Sequence, residues 1–241
     1  WPAIAMRIVM DAAAGLHAAH EVRGENNEPL ELVHRDVSPT NIFLTFDGVT
    51  KLLDFGVARA VDRTHHTVAG AVKGRDAYMS PEQIRKAPFD RRADVWALGV
   101  VFWELLTLEP CFEKGSQAQT IFAVADADVQ PPSSIRPDLT KDIDRVVMRA
   151  LSKDPRDRYP TTREMIRDLH KVMAKQPEPV STVDLAELLE EVFAEQHRER
   201  YALMERARQL DSGIAVTAAG NEGTDIHSVA TQHLSQSISG V

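Results

Sequence analysis

In the stretch HRDVSPTN (34–41), Asp36 stands five positions before Asn41, and Asp54-Phe55-Gly56 follows. A carboxylate that can take a proton, then a carboxamide and a second carboxylate, suits metal-assisted transfer of a phosphoryl group to a hydroxyl. Asp36 would accept or orient the hydroxyl proton. Asn41 and Asp54 would supply the hard oxygen ligands that Mg²⁺ prefers, with phosphate oxygens and water completing its shell. A lone Asp-Phe-Gly tripeptide carries no information. The order carries it: HRDVSPTN, Asp54-Phe55-Gly56, Ser80-Pro81-Glu82, Asp94-Val-Trp96-Ala-Leu-Gly99, then LSKDPRDRYP at 151–160.

Elements must hold these residues in place. Ile4, Ile8, Ala12 and Leu16 recur every four residues, which predicts a helix over 3–20. A polar loop over 23–31 leads into three expected strands, ELVH (31–34), NIFLTF (41–46) and VTKLLD (49–54). The last two join at Asp47-Gly48, a tight hairpin signal, and the hairpin would bring Asn41 and Asp54 to one face. Residues 54–82 lack periodicity, and a long loop inside a compact domain is usually functional. Helices are expected at 92–108, 116–125, 139–151 and 161–174. The greasy run at 95–108 contains Glu104 and is too short for a bilayer, so it reads as a buried helix. The fold class expected is α+β, mostly α-helical.

Beyond a linker at 175–181, Ser181 and Asp184 have capping-box spacing ahead of Leu185, Leu188, Leu189, Val192 and Phe193. This predicts an amphipathic helix over 182–210. It would pack on the domain's own surface or serve as a docking or dimerising helix. Residues 211–241, rich in Ser, Thr, Gly and Ala, are expected to be a disordered tail. Net charge is −8, which argues against a nucleic-acid partner. A single cysteine, Cys111, excludes an internal disulfide and suits a reducing, cytoplasmic setting, with a membrane anchor elsewhere in a longer chain left open.

Over residues 1–174 these motifs resemble the eukaryotic-type protein kinases, in particular the Ser/Thr kinases found in bacteria, and only their C-terminal lobe. The resemblance implies ATP and Mg²⁺ as cofactors and protein Ser/Thr hydroxyls as substrates. It makes Asp36 the catalytic base and Asn41 and Asp54 the metal ligands, and it places Phe43 under the adenine. Arg35 would receive a phosphate from the activation loop, on Thr64 or Thr67. His34 and Phe55 would belong to the hydrophobic spine. Glu82 and Arg158 would form a buried ion pair, and Asp94 would hold the catalytic-loop backbone.

Two positions depart from the family pattern. Ser38 stands where its Ser/Thr kinases carry a lysine that contacts the transferred phosphate. Arg75 stands where they carry a threonine, and in the family fold those two positions meet beside the catalytic aspartate. The expectation is that the positive charge has moved from position 38 to position 75, making Arg75 catalytic. The Gly-rich loop and the strand lysine that clamp ATP have no counterpart here. The chain also opens at Trp1 rather than at Met. The expectation is therefore a fragment without its N-terminal β lobe, inactive in isolation. Two alternatives are a truncated, non-catalytic interaction module and a small-molecule kinase of the aminoglycoside phosphotransferase type. The Asp-Phe-Gly and Ser-Pro-Glu anchors argue against the second.

Overall fold

The protein was studied as a computed structural model, which describes residues 1–54, 74–112, 114–176 and 180–219. Phe55, Thr64 and Thr67 lie outside the described residues. Helix α1 (Pro2–His20) begins with a proline, whose fixed φ suits a first helical position. It buries Ala5, Met6, Val9, Ala12, Ala13 and Leu16, a broader face than one stripe. The breadth follows from its neighbours, since α3 (Arg92–Thr107), α7 (Thr162–Met173) and the strand Thr50–Leu52 all pack on it. The alanines let these elements approach closely.

Strands β1 (Ile42–Leu44) and β2 (Thr50–Leu52) form an antiparallel pair with Ile42 opposite Leu52. It is the only sheet among the described residues. Gly48 takes φ +73° in the turn, a conformation glycine adopts without a side-chain penalty. The expected strand at 31–34 is absent. The backbone N–H groups of His34 and Arg35 donate instead to the Asp94 carboxylate, at 2.8 and 2.9 Å, so they are not available to a ladder.

Helix α2 (Pro81–Ile84) is a single turn that sequence periodicity cannot reveal, fixed by a Ser80/Gln83 capping box. Then come α3, α4 (Gln117–Asp126), the short α5 (Pro132–Ile135), α6 (Lys141–Ala150) and α7. Helix α3 is the greasy run, and Val95, Trp96, Leu98, Val100 and Phe102 are all buried. At Gly99 a β-carbon would fall 2.9 Å from Ala150 Cβ and 3.1 Å from Leu151 Cδ2, so α3 and α6 meet there without room for a methyl. Gly99→Ala is expected to destabilise the lobe by about 1–3 kcal/mol through overpacking. A chemical denaturation series checks this.

The chain divides into two compact units, Trp1–Leu189 and Glu190 onward. Helix α8 (Thr182–Val192) starts at the expected cap, where the Ser181 N–H and hydroxyl both donate to Asp184 Oδ2 at 2.6 Å. Within the first unit, Leu185 and Leu189 are buried against Ile4 and Ile8 of α1, Ile42 and Leu44 of β1, and Phe46. The start of this helix thus packs on the lobe's own surface. One helix over 182–210 is replaced by two. Val192 and Phe193, both weak helix formers, sit at the break, and α9 (Ala194–Ala219) continues past 210. Residues 211–219, expected in the tail, are therefore helical, and 220–241 lie outside the described residues. No described helix is long and apolar enough to cross a membrane.

Candidate active site

Asp94, near the start of α3, organises the loop that carries Asp36. It is 1% exposed, and its Oδ1 accepts from the Arg35 N–H at 2.9 Å. Its Oδ2 accepts from the His34 N–H and from His20 Nε2, each at 2.8 Å. Buried carboxylates are stable only when so paired. His20, 1% exposed at the end of α1, is a residue the motifs did not flag. A signal existed: the stripe Ile4, Ile8, Ala12, Leu16 continues at the same spacing to position 20. A histidine at the end of an apolar stripe is buried and needs a polar partner.

Arg35 is held at φ +67° and Asp54 at φ +55°, a left-handed conformation uncommon for side-chain-bearing residues. Such strain persists where surroundings over-determine it, and it clusters at functional sites. The two bonds from Asp94 to the preceding backbone do so for Arg35. His34 Nε2 donates to the Leu53 carbonyl at 3.1 Å, tying the catalytic loop to the end of β2 beside Asp54.

A short 3₁₀ turn, Pro39–Asn41, ends the loop. Asn41 is 5% exposed and donates through Nδ2 to the Asp36 carbonyl at 2.7 Å. That bond commits the amide nitrogen and leaves Oδ1 as a potential ligand atom. The Leu53 N–H donates to the Asn41 carbonyl at 2.9 Å, so Asn41 and Asp54 flank the same end of the hairpin. Among the described residues the Asp54 side chain has no hydrogen-bond or ion-pair partner. One carboxamide oxygen and one unpaired carboxylate fit a divalent cation that also takes phosphate oxygens. Phe43 is 49% exposed in the middle of β1.

Ser38 is 3% exposed and its Oγ lies 3.0 Å from Thr40 Oγ1. Arg75 opens a 3₁₀ turn after Gly74, and its Nη1 lies 2.8 Å from Asp36 Oδ2. Arg75 Nε is buried with no partner among the described residues. Arg35, Asp36, Arg75, Tyr78, Met79 and Gln83 line one small cleft. Arg35 also stacks its guanidinium 5.5 Å from the Phe89 ring centroid.

Behind the cleft, Arg158 joins Glu82 through two bonds, Nη1 to Oε1 at 2.7 Å and Nη2 to Oε2 at 2.8 Å. Burial works to raise the Glu82 carboxyl, but the bonds and charge of Arg158 outweigh it and hold the group below its ordinary value.

A helical lobe around one short hairpin, with a base candidate, two metal-ligand candidates and an anchored loop at the hairpin's open end, defines a protein kinase C-terminal lobe. The sequence matches the protein kinase domain family over residues 4–173, and the chain belongs to that family. It is 36% identical over 220 residues to the tyrosine-protein kinase MasK of Myxococcus xanthus, covering 91% of this chain and 34% of that protein. It is 40% identical over 177 residues to the serine/threonine-protein kinase PknB of Mycobacterium leprae, covering 73% and 27%. With PknB of Mycobacterium tuberculosis it shares 38% over 178 residues, again covering 73% and 27%. The chain thus spans about a third or less of these relatives' lengths. An alignment over 91% of the chain necessarily includes α8, so the likeness to the Myxococcus protein runs past the residues the family match covers.

Proposed function

We propose that this chain is the catalytic lobe of a serine/threonine protein kinase that transfers the γ-phosphate of ATP to protein Ser or Thr hydroxyls. The observation that carries the reading is the Asp36–Asn41 bond at 2.7 Å, within a loop that Asp94 grips from α3. It couples the base candidate to a metal-ligand candidate with little freedom between them, which is what positioning catalysis requires.

Asp36 orients the substrate hydroxyl and takes its proton. Asn41, through Oδ1, and Asp54 would hold the divalent cation that accompanies the nucleotide. Bound Mg²⁺ would neutralise charge on the transferring phosphate. Arg75 replaces the cation that Ser38 does not supply. Its 2.8 Å contact with Asp36 keeps that carboxylate aimed into the cleft, and its partly exposed guanidinium can donate to a phosphoryl oxygen. Phe43 would lie beneath the adenine, and Arg35 would take a phosphate from the activation loop. The exposed apolar side chains Val22, Leu30, Leu32, Phe43 and Leu53 fit coverage by an N-terminal lobe from outside these 241 residues.

The serine/threonine assignment follows the mycobacterial relatives' names. The Myxococcus relative's name favours a second reading, tyrosine as acceptor. The test joins the chain to its upstream sequence and follows transfer from labelled ATP to a generic protein substrate, with phosphoamino-acid analysis. Transfer to Ser or Thr is expected, lowered at least about a thousandfold by Asp36→Asn, while the 241-residue chain alone is inactive. Phosphotyrosine alone would replace the acceptor assignment. Activity that survives Asp36→Asn would refute the mechanism.

A further inference from the structure

Asn41 lies just before β1 and Asp54 just after β2, so their spacing depends on a hairpin of two three-residue strands. A ribbon that small is marginal by itself. One face of it is covered by α1. At its turn, the support comes from α8. A β-carbon at Gly48 would fall 1.9 Å from the Thr182 carbonyl oxygen and 3.0 Å from the Ala186 nitrogen, so the turn sits directly on the first turn of α8. Leu185 and Leu189 wedge against Ile42 and Leu44 on the same strand that leads from Asn41.

We infer that α8 is a positioning clamp for the metal-ligand end of the hairpin, with Gly48, Leu185 and Leu189 as its contact residues. Whatever pulls on the chain beyond Leu189 then acts on Asn41 and Asp54 without touching the cleft. The inference rests on the kinase reading only for what the hairpin holds, not for the clamp itself.

The lever is small and specific. The Leu53 N–H to Asn41 carbonyl bond, 2.9 Å, closes the open end of the hairpin and reports on it directly. An undocked α8 lets the turn swing and that bond fray, while α6, none of whose residues belongs to the cluster around Leu185 and Leu189, stays packed.

Amide hydrogen exchange on the whole chain tests the clamp. In the double variant Leu185→Asp/Leu189→Asp, exchange at Leu53 and at the β1 and β2 amides is expected to rise at least tenfold. Exchange at Ile143, Val146 and Val147 of α6 should hold within about twofold. Gly48→Asn is the second variant. Asparagine tolerates a left-handed φ, so its effect isolates the collision with α8 from backbone strain, and the same hairpin-confined rise is expected. Unchanged hairpin protection in both variants overturns the clamp, as does a rise that spreads equally to α6 in both. A Mn²⁺ titration in the presence of ADP, on the chain joined to its upstream sequence, reads the consequence. Affinity is expected to fall at least fivefold in Gly48→Asn, and undiminished affinity overturns the positioning role. If the native chain joined to its upstream sequence binds no Mn²⁺ with ADP, the phosphoryl-transfer reading sinks instead, and the exchange comparison alone then decides the clamp.

Discussion

Arg158→Leu is expected to destabilise the lobe by about 3–5 kcal/mol, a large share of what a domain of this size possesses. Arg158 is 1% exposed, and every part of its guanidinium is used. Both Glu82 oxygens accept from it, Nε donates to the Ser152 carbonyl at 2.8 Å, and Nη1 also donates to the Arg92 carbonyl at 3.1 Å. Its face lies 4.9 Å from the Trp96 ring centroid. Leucine leaves the Glu82 carboxylate and these carbonyls facing a hydrophobic side chain in a region that water does not reach. The cost is the stranded charge rather than the lost attraction, so Glu82→Gln should cost much less, because the amide oxygen still accepts from Arg158.

The pH dependence separates these cases. Glu82 sits below its ordinary value of 4.5 when folded, so the unfolded chain binds its proton more readily. The pair's contribution is therefore complete above about 4.5 and drains away as pH falls through the lower folded value. The stability gap between the native chain and Glu82→Gln should be constant near neutrality and shrink below pH 4.5. Urea titrations across that range measure it. A gap that widens toward acid would mean that burial, not Arg158, sets this carboxyl.

The elements with strong periodicity were legible in the sequence because one physical signal dominates them. Helix α1, with its four-residue stripe, and α3, with its unbroken apolar run, could hardly fold otherwise. The Ser181/Asp184 cap was equally plain, since the two side chains satisfy each other within one turn. What escaped was set by tertiary partners. His34 and Arg35 look like the end of a strand until Asp94, some sixty positions away, takes their N–H groups. The positive φ at Arg35 and Asp54 has no local signature, because neither residue type demands it. His20 was hidden by the same logic: its spacing was visible, but its purpose lies on α3. The contact between Gly48 and Thr182 joins two turn signals that, in sequence, have nothing to do with each other.

The exchange of side chains at positions 38 and 75 shows the complementary case, in which sequence suggested a relation and geometry gives it an energy scale. Arg75→Thr is expected to lower kcat about 10²–10³-fold in the chain joined to its upstream sequence, the usual loss for one donor aimed at developing charge. Arg75 contacts Asp36 at 2.8 Å from the far side of the cleft, whereas Ser38, 3% exposed and bonded to Thr40, offers no charge. Ser38→Lys in the Arg75→Thr background places an ammonium on the catalytic loop itself, with threonine where it has room to accept. Activity should return to within about tenfold of the native level. Ser38→Lys alone puts two cations beside one carboxylate, and like charges at that range oppose each other, so it should lower kcat or leave it unchanged. The two substitutions are thus expected to be strongly non-additive, with the double variant far more active than the product of the singles. Additive effects on kcat would show that Arg75 and position 38 act independently. Arg75 would then be a surface residue that pairs with Asp36 only in the absence of substrate, and the cation for the transferred phosphate would have to come from elsewhere.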